Sequence, residues 1–133
     1  MILVDSSVWV AYFNGQVSRQ TAYLHDLLGK EPIVTGDLIL AEVLQGFRRE
    51  GDYRKARRLL GGLPIHSLLD PPRAIRVADN YRTLRKRGIT VRGTTDVIIA
   101  TYCIDESLPL LFADRDFLPF VRHLALQPAI RID

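Results

Sequence analysis

The stretch Met1-Ile2-Leu3-Val4-Asp5 opens the chain with four apolar residues followed by a carboxylate. A continuous apolar run, rather than an alternating one, is the pattern of a strand buried on both faces, and such strands belong to parallel sheets covered by helices. Asp5 then stands at the carboxyl end of that strand. Leu110-Leu111-Phe112-Ala113-Asp114 repeats the device near the other end of the chain. In open α/β sheets, ligands bind in the crevice beyond the carboxyl ends of the strands. Asp5 and Asp114 are therefore expected in one place, with Asp116 close behind.

The sequence between them alternates strand-like and helix-like segments, which predicts an α/β fold with a largely parallel sheet. Ser6 and Ser7 are candidate caps for a short helix over 8–13, closed by Asn14-Gly15. Further helices are predicted over 18–28, 37–50, 51–60, 70–88, 96–106 and 117–122, and strands over 33–35, 64–68, 110–113 and 129–132. Asp37 and Asp70 both read as helix caps, the second followed by prolines that a first turn tolerates. No repeat, low-complexity stretch or linker divides the sequence, so residues 1–133 are expected to form one domain.

Composition narrows the function. With 47% hydrophobic and 25% charged residues, the chain has the balance of a globular domain able to bury a core. No apolar run approaches the roughly 20 residues of a membrane span, and the N-terminus lacks the pattern of a secretory signal, so a cytoplasmic protein with no membrane partner is expected. Cys103 is the sole cysteine and lies in the apolar stretch 97–104, where it reads as a buried, inert thiol. The net charge is only +3, but residues 48–92 hold thirteen Lys or Arg against four acids, a local +9 that leaves the remainder at −6. That division suits an acidic pocket for cations beside a surface that meets phosphates, although Arg54, Lys55, Arg57 and Arg58 equally fit the solvated face of a helix.

Two more acids join the first pair. Glu42 sits within the apolar run 38–44, where a carboxylate is costly to bury without a partner, and Asp96 opens a helix that continues Val97-Ile98-Ile99-Ala100. Like charges gathered in one pocket must raise their pKa values or be neutralised by cations. An oxygen-only donor set without a His or Cys cluster suits Mg²⁺, or Mn²⁺, rather than Zn²⁺. Such a metal can lower the pKa of a water and stabilise charge building on a phosphoryl oxygen. His66, in a predicted strand with no acid nearby to make it a base, is expected to be structural.

Four blocks then carry a resemblance: Ile2-Leu3-Val4-Asp5-Ser6-Ser7-Val8-Trp9, Leu40-Ala41-Glu42-Val43-Leu44-Gln45-Gly46, Thr95-Asp96-Val97-Ile98-Ile99-Ala100 and Leu111-Phe112-Ala113-Asp114-Arg115-Asp116-Phe117. In this order and spacing the chain resembles PIN-domain ribonucleases, and among them the VapC-type toxins of prokaryotic toxin–antitoxin pairs. The resemblance implies a single PIN domain, a three-layer α/β/α fold around a five-stranded parallel sheet, and metal-dependent endonucleolytic cleavage of RNA. It matches Asp5, Glu42, Asp96 and Asp114 to the catalytic, metal-binding acids, with Asp116 as a further candidate ligand. It matches Ser6 or Ser7 to a small hydroxyl residue contacting water or phosphate. It also implies a VapB-type antitoxin whose tail lies in a groove that Trp9, Tyr12 and Phe13 fit, and a toxin homodimer that assembles with antitoxin into a heterotetramer or larger.

Rival classes fit less well. A phosphatase of the haloacid dehalogenase class also opens with a strand ending in Asp, but needs a second acid where Ser7 stands. A receiver domain needs paired acids after the first strand, which are missing. A catalytically silent PIN-fold module that binds RNA or protein has no need of every acid, and here the set is complete.

Overall fold

A computed structural model describes residues 1–131. Strands β1 (Ile2–Val4), β2 (Ile33–Gly36), β3 (Ile65–His66) and β4 (Leu110–Leu111) form one sheet in the order β3-β2-β1-β4. All pairings are parallel, with Leu3 opposite both Val34 and Leu110. Successive residues of a strand point to opposite faces, yet every residue of β1 and β2 is buried. Both faces of the sheet are thus covered, giving the three-layer architecture that the apolar runs imply.

The helices are α1 (Ser6–Phe13), α2 (Arg19–Leu27), α3 (Asp37–Gln45), α4 (Glu50–Gly61), α5 (Pro71–Lys86), α6 (Thr94–Asp105) and α7 (Leu118–Leu124), the last preceded by a 3₁₀ turn over Arg115–Phe117. Their ends follow local chemistry. Ser18 and Thr21 form a capping box on α2, and the Asp70 carboxylate accepts from Arg73 N at 2.9 Å at the start of α5. Gly88, at φ +81°, follows α5 in the left-handed conformation that side chains disfavour.

Three predicted elements differ. The helix predicted over 37–50 is shorter, closing at Gly46, and the one predicted over 51–60 begins at Glu50 as α4. The strand predicted over 64–68 shortens to two residues at the sheet edge, where Ile65 is exposed. The fifth strand, predicted over 129–132, is among the described residues a single parallel bridge between Leu110 and Pro128; Ile132 and Asp133 lie outside the described residues. The Gln127 carbonyl and the Ala129 N–H make the two bonds to Leu110, and the chain then bends at 129–130, which ends the pairing.

Asp37 is not a helix cap. Gly36 takes that position, and the exposed Asp37 carboxylate accepts from Leu38 N at 2.8 Å and Leu68 N at 3.1 Å, tying α3 to the loop after β3. The two loops meet tightly: a Cβ on Gly36 would lie 2.4 Å from the buried Leu68 side chain, so glycine is required by close approach.

One apolar core runs through the sheet and both helical layers, with Trp9, Phe117 and Phe120 as its largest fully buried side chains. Trp9 is therefore core, whereas Tyr12 and Phe13 are only half-buried. Cys103 is buried as expected, and burial together with the Asp5 charge pushes its thiol pKa up, which disfavours the reactive thiolate. His66 pairs with the Tyr102 hydroxyl in a link between β3 and α6.

Candidate metal centre

Asp5 is held by the helix it starts. It caps α1, and its Oδ2 accepts from Ser7 N at 3.3 Å and Ser7 Oγ at 2.6 Å. Ser6 Oγ turns to the neighbouring helix and donates to Glu42 Oε1 at 2.7 Å. Neither serine caps α1, because Asp5 is one residue earlier and already fills that place. Both hydroxyls instead fix the orientation of a carboxylate.

Glu42 reaches the site for a reason other than the one its sequence setting suggests. α3 buries Ile39 and Val43, which lie on one face at i and i+4, and Glu42 is exposed. The apolar run around it does not bury the charge; the helix turns that charge toward Ser6 and the acids beyond. Asp96 occupies the first turn of α6, held from behind by the buried Val97-Ile98-Ile99-Ala100.

Asp114 caps the 3₁₀ turn and accepts from Asp116 N at 2.9 Å, which places the two acids side by side. Among the described residues, Asp96, Asp114 and Asp116 each offer a carboxylate oxygen, and the three oxygens lie within 4.8 Å of one another. Both acids of the Asp-Arg-Asp turn thus belong to the cluster. Asp5 and Glu42 complete it electrostatically: burial raises the Asp96 pKa to about 6, and the charges of Asp5, Asp114, Glu42 and Asp116 all push in the same direction. Asp5 is raised as well, by burial and the Glu42 charge, against the hydrogen bonds from Ser7.

A first-turn acid normally gains from the helix dipole. That gain is outweighed here, so five carboxylates are gathered with little compensating positive charge. Among the described residues, the cation bridging to them is Arg92, exposed and 3.9 Å from Asp116 Oδ2. In the sequence Arg92 belongs to the basic segment 48–92, and its position four residues ahead of Asp96 is the signal that places it here. Three oxygens converging within 4.8 Å, with two further carboxylates adding negative potential, fit a hard divalent cation that prefers oxygen donors.

The segment 48–92 does not act as one basic surface. Arg73 is buried, ion-paired at 3.0 Å to both Asp105 and Glu106, and stacked over Tyr102 at 4.7 Å; Arg76 pairs with Asp105 at 2.8 Å. These arginines hold α5 against α6. The exposed Arg48, Arg49, Arg54, Lys55, Arg57 and Arg58, by contrast, stand around α4.

A parallel three-layer fold with clustered acids at the carboxyl ends of its central strands defines a class, and the sequence agrees: residues 2–120 match the PIN domain, and the chain belongs to that family. It is 33% identical over 131 residues to ribonuclease VapC11 of Mycobacterium tuberculosis, an alignment covering 97% of this chain and 98% of that protein. Among solved structures it is similar to VapBC2 from Rickettsia felis bound to a DNA fragment from their promoter, with a TM-score of 0.74, 20% identity and coverage of 96% and 97% of the two chains. A toxin–antitoxin complex from Klebsiella pneumoniae superposes with a TM-score of 0.70 at 16% identity, over 99% of this chain and 100% of that one. No helix among the described residues is long and apolar enough to cross a membrane.

Proposed function

We propose that this chain is a Mg²⁺-dependent endoribonuclease, also able to use Mn²⁺, that acts in the cytoplasm as the toxin of a toxin–antitoxin pair and is held in check by a VapB-type antitoxin. Residues 1–133 would act as one PIN domain, assembling as a homodimer and, with antitoxin, as a heterotetramer or larger. The observation that carries this reading is the convergence of the Asp96, Asp114 and Asp116 carboxylates, with Asp5 and Glu42 close enough to raise the Asp96 pKa. The ribonuclease named among its relatives and the toxin–antitoxin complexes that share its fold support the substrate and the partner.

A divalent ion bound at this site supplies a water of lowered pKa and neutralises charge that builds on the phosphoryl and leaving oxygens. The protein does the rest by position. Asp96, Asp114 and Asp116 would hold the ion, joined by Asp5, whose carboxylate is clamped by Ser7 through one oxygen. Glu42, fixed through Oε1 by Ser6, keeps Oε2 to orient the attacking water and take its proton. Arg92 and Arg115, both exposed beside the acids, meet the phosphate backbone. The products are an RNA 3′-hydroxyl and a 5′-phosphate.

End mapping of total cellular RNA incubated with the purified chain tests this. Discrete cuts that require Mg²⁺, disappear with chelator and disappear in Asp96→Asn are expected. Cleavage that persists in chelator or in the variant would sink the metal assignment, and a folded chain that leaves all RNA intact would sink the nuclease.

A further inference from the structure

At the ends of α1 and α3 remote from the acids lies a cavity of about 490 Å³, walled by Phe13, Phe47, Arg48, Arg49, Asp52 and Lys55. Its two components are distinct. The half-buried Phe13 and Phe47 rings meet edge to face at 5.7 Å, and Phe13 stacks on the buried Trp9 at 5.8 Å, which anchors this aromatic wall to the core. Arg48, Arg49 and Lys55 are exposed, and none forms an ion pair or a side-chain hydrogen bond among the described residues. Against them stands the single acid Asp52.

The same pair of helices joins this cavity to the metal centre. At one end Ser6 Oγ donates to Glu42; at the other Phe13 meets Phe47. Ser6 to Phe13 is seven residues of helix, about 10 Å at 1.5 Å per residue. At 3.4 Å per stacked nucleotide that is about three steps of a single strand.

We infer that the Phe13–Phe47 cavity is a single-stranded RNA subsite, taking a base on its aromatic wall and the flanking phosphates on Arg48, Arg49 and Lys55, about three nucleotides from the bond to be cut. This rests on the nuclease reading for the location of the scissile phosphate. Charge complementarity selects the occupant: unpaired cations flanking an anchored aromatic face are the two components of single-strand recognition, phosphate neutralisation and base stacking. An amphipathic protein helix would call for a continuous apolar floor, whereas here the aromatic pair is bordered by charge. The exposed Arg54, Arg57 and Arg58 on α4 prolong the positive surface beyond the cavity.

The test is a salt titration of binding, using a fluorescent 12-nucleotide oligouridylate and the Asp96→Asn chain in Mg²⁺ so that nothing is cut. Replacing Arg48, Arg49 and Lys55 by Ala should lower the slope of log affinity against log salt by about 2, since each single-strand phosphate contact contributes about 0.7. Phe47→Ala should weaken binding roughly 5- to 100-fold without altering that slope, the range expected for one stacked base. Phe47→Leu, which retains apolar volume against Phe13, should weaken it in the same direction and separate stacking from folding. An unchanged slope in the charge variant overturns the subsite and leaves the groove to a protein partner. Cleavage of total RNA by the unaltered chain is scored separately: cuts with an unchanged slope overturn the subsite alone, and a lowered slope without cuts overturns the nuclease while the RNA subsite stands.

Discussion

Helix α6 carries acids at both ends and treats them in opposite ways. At its first turn Asp96 joins Asp114 and Asp116 with little positive charge nearby, and its pKa is pushed up to about 6. At its last turn and cap, Asp105 and Glu106 sit at the end where the helix dipole disfavours anions, yet Arg73 and Arg76 pair with them. Burial raises the Asp105 carboxyl, but the hydrogen bonds from Arg76 and Arg73 outweigh it and hold the pKa below the usual carboxylate value. The two ends separate a site from a strut. Where charge is balanced within the protein the acids stabilise the fold, and where it is left unbalanced they fit a cation from outside.

The largest effect that can break this contrast comes from neutralising the unbalanced end. Asp96→Asn should reduce metal-dependent RNA cleavage by at least about 100-fold, more than the loss of a ligand's hydrogen-bonding neighbour produces. In chelator the same variant should melt no lower than the unaltered chain, because an amide removes like-charge repulsion. A variant that loses activity only because it unfolds would erase the distinction between the two ends.

Removing a cation from the balanced end should do the reverse. Arg73→Ala strands Glu106, leaves Asp105 to Arg76 alone and deletes the stacking on Tyr102. Breaking one side of a buried ion pair is expected to lower stability by about 3 kcal/mol, read as a lower urea midpoint at unchanged slope. Below its melting transition the variant should still cut RNA. A midpoint within error of the unaltered chain would show that the pairs at this end contribute nothing to holding α5 on α6.

Much of the contrast was legible in sequence at one end and invisible at the other. Asp5 and Asp114 are marked by the strands that precede them, since a strand buried on both faces delivers whatever follows it to the sheet's edge. Glu42 stands out in the apolar run 38–44 for an incorrect physical reason: residue spacing does not reveal which way a half-buried helix turns a single acid. Ser6 and Ser7 were read as caps because a hydroxyl ahead of a helix usually is one; Asp5, one residue earlier, had taken the role. Arg73 with Asp105 and Glu106 spans 32 and 33 positions, a separation at which only the packing of α5 on α6 creates the pair. The charge balance of segment 48–92 therefore overstated the surface available to phosphates. The fifth strand failed on a local detail, the bend at 129–130, that limits its pairing to one bridge.

A subtler change sharpens the acidic end. Ser7→Ala removes the 2.6 Å hydrogen bond to Asp5 Oδ2 while leaving the backbone donor in place. That bond works against the burial that raises Asp5, so its loss should push the carboxyl further up. The Mg²⁺ concentration for half-maximal cleavage should rise about 10-fold, as for other losses of a ligand's supporting hydrogen bond, with the maximal rate little altered. An unchanged metal requirement would reduce Ser7 to a bystander.

The smallest expected effect tests the two ends in one titration. For Asp96 the folded pKa of about 6 lies above the ordinary 3.8, so below about pH 4 both folded and unfolded chains are protonated and the group is silent. Between these values the folded chain retains a proton that the unfolded chain has lost, and stability falls as pH rises, reaching its full penalty above pH 6. Asp105, shifted the other way, gives stability that is already complete above its ordinary value and is lost only as pH falls below it. From pH 5 to 8, then, Asp105 is flat and the acidic end alone should slope. The rise from 3.8 to about 6 corresponds to about 3 kcal/mol, solvent screening of a half-exposed carboxylate reduces this to about 1 kcal/mol, and about half of that is already lost by pH 5. In chelator the melting temperature should therefore fall by roughly 2 °C between pH 5 and 8 relative to Asp96→Asn, a comparison that cancels the histidines common to both chains. Mg²⁺ at the ionised carboxylates should reverse the sign of that difference; parallel melting profiles with and without the ion would mean that the repulsion among these acids is not what the metal relieves.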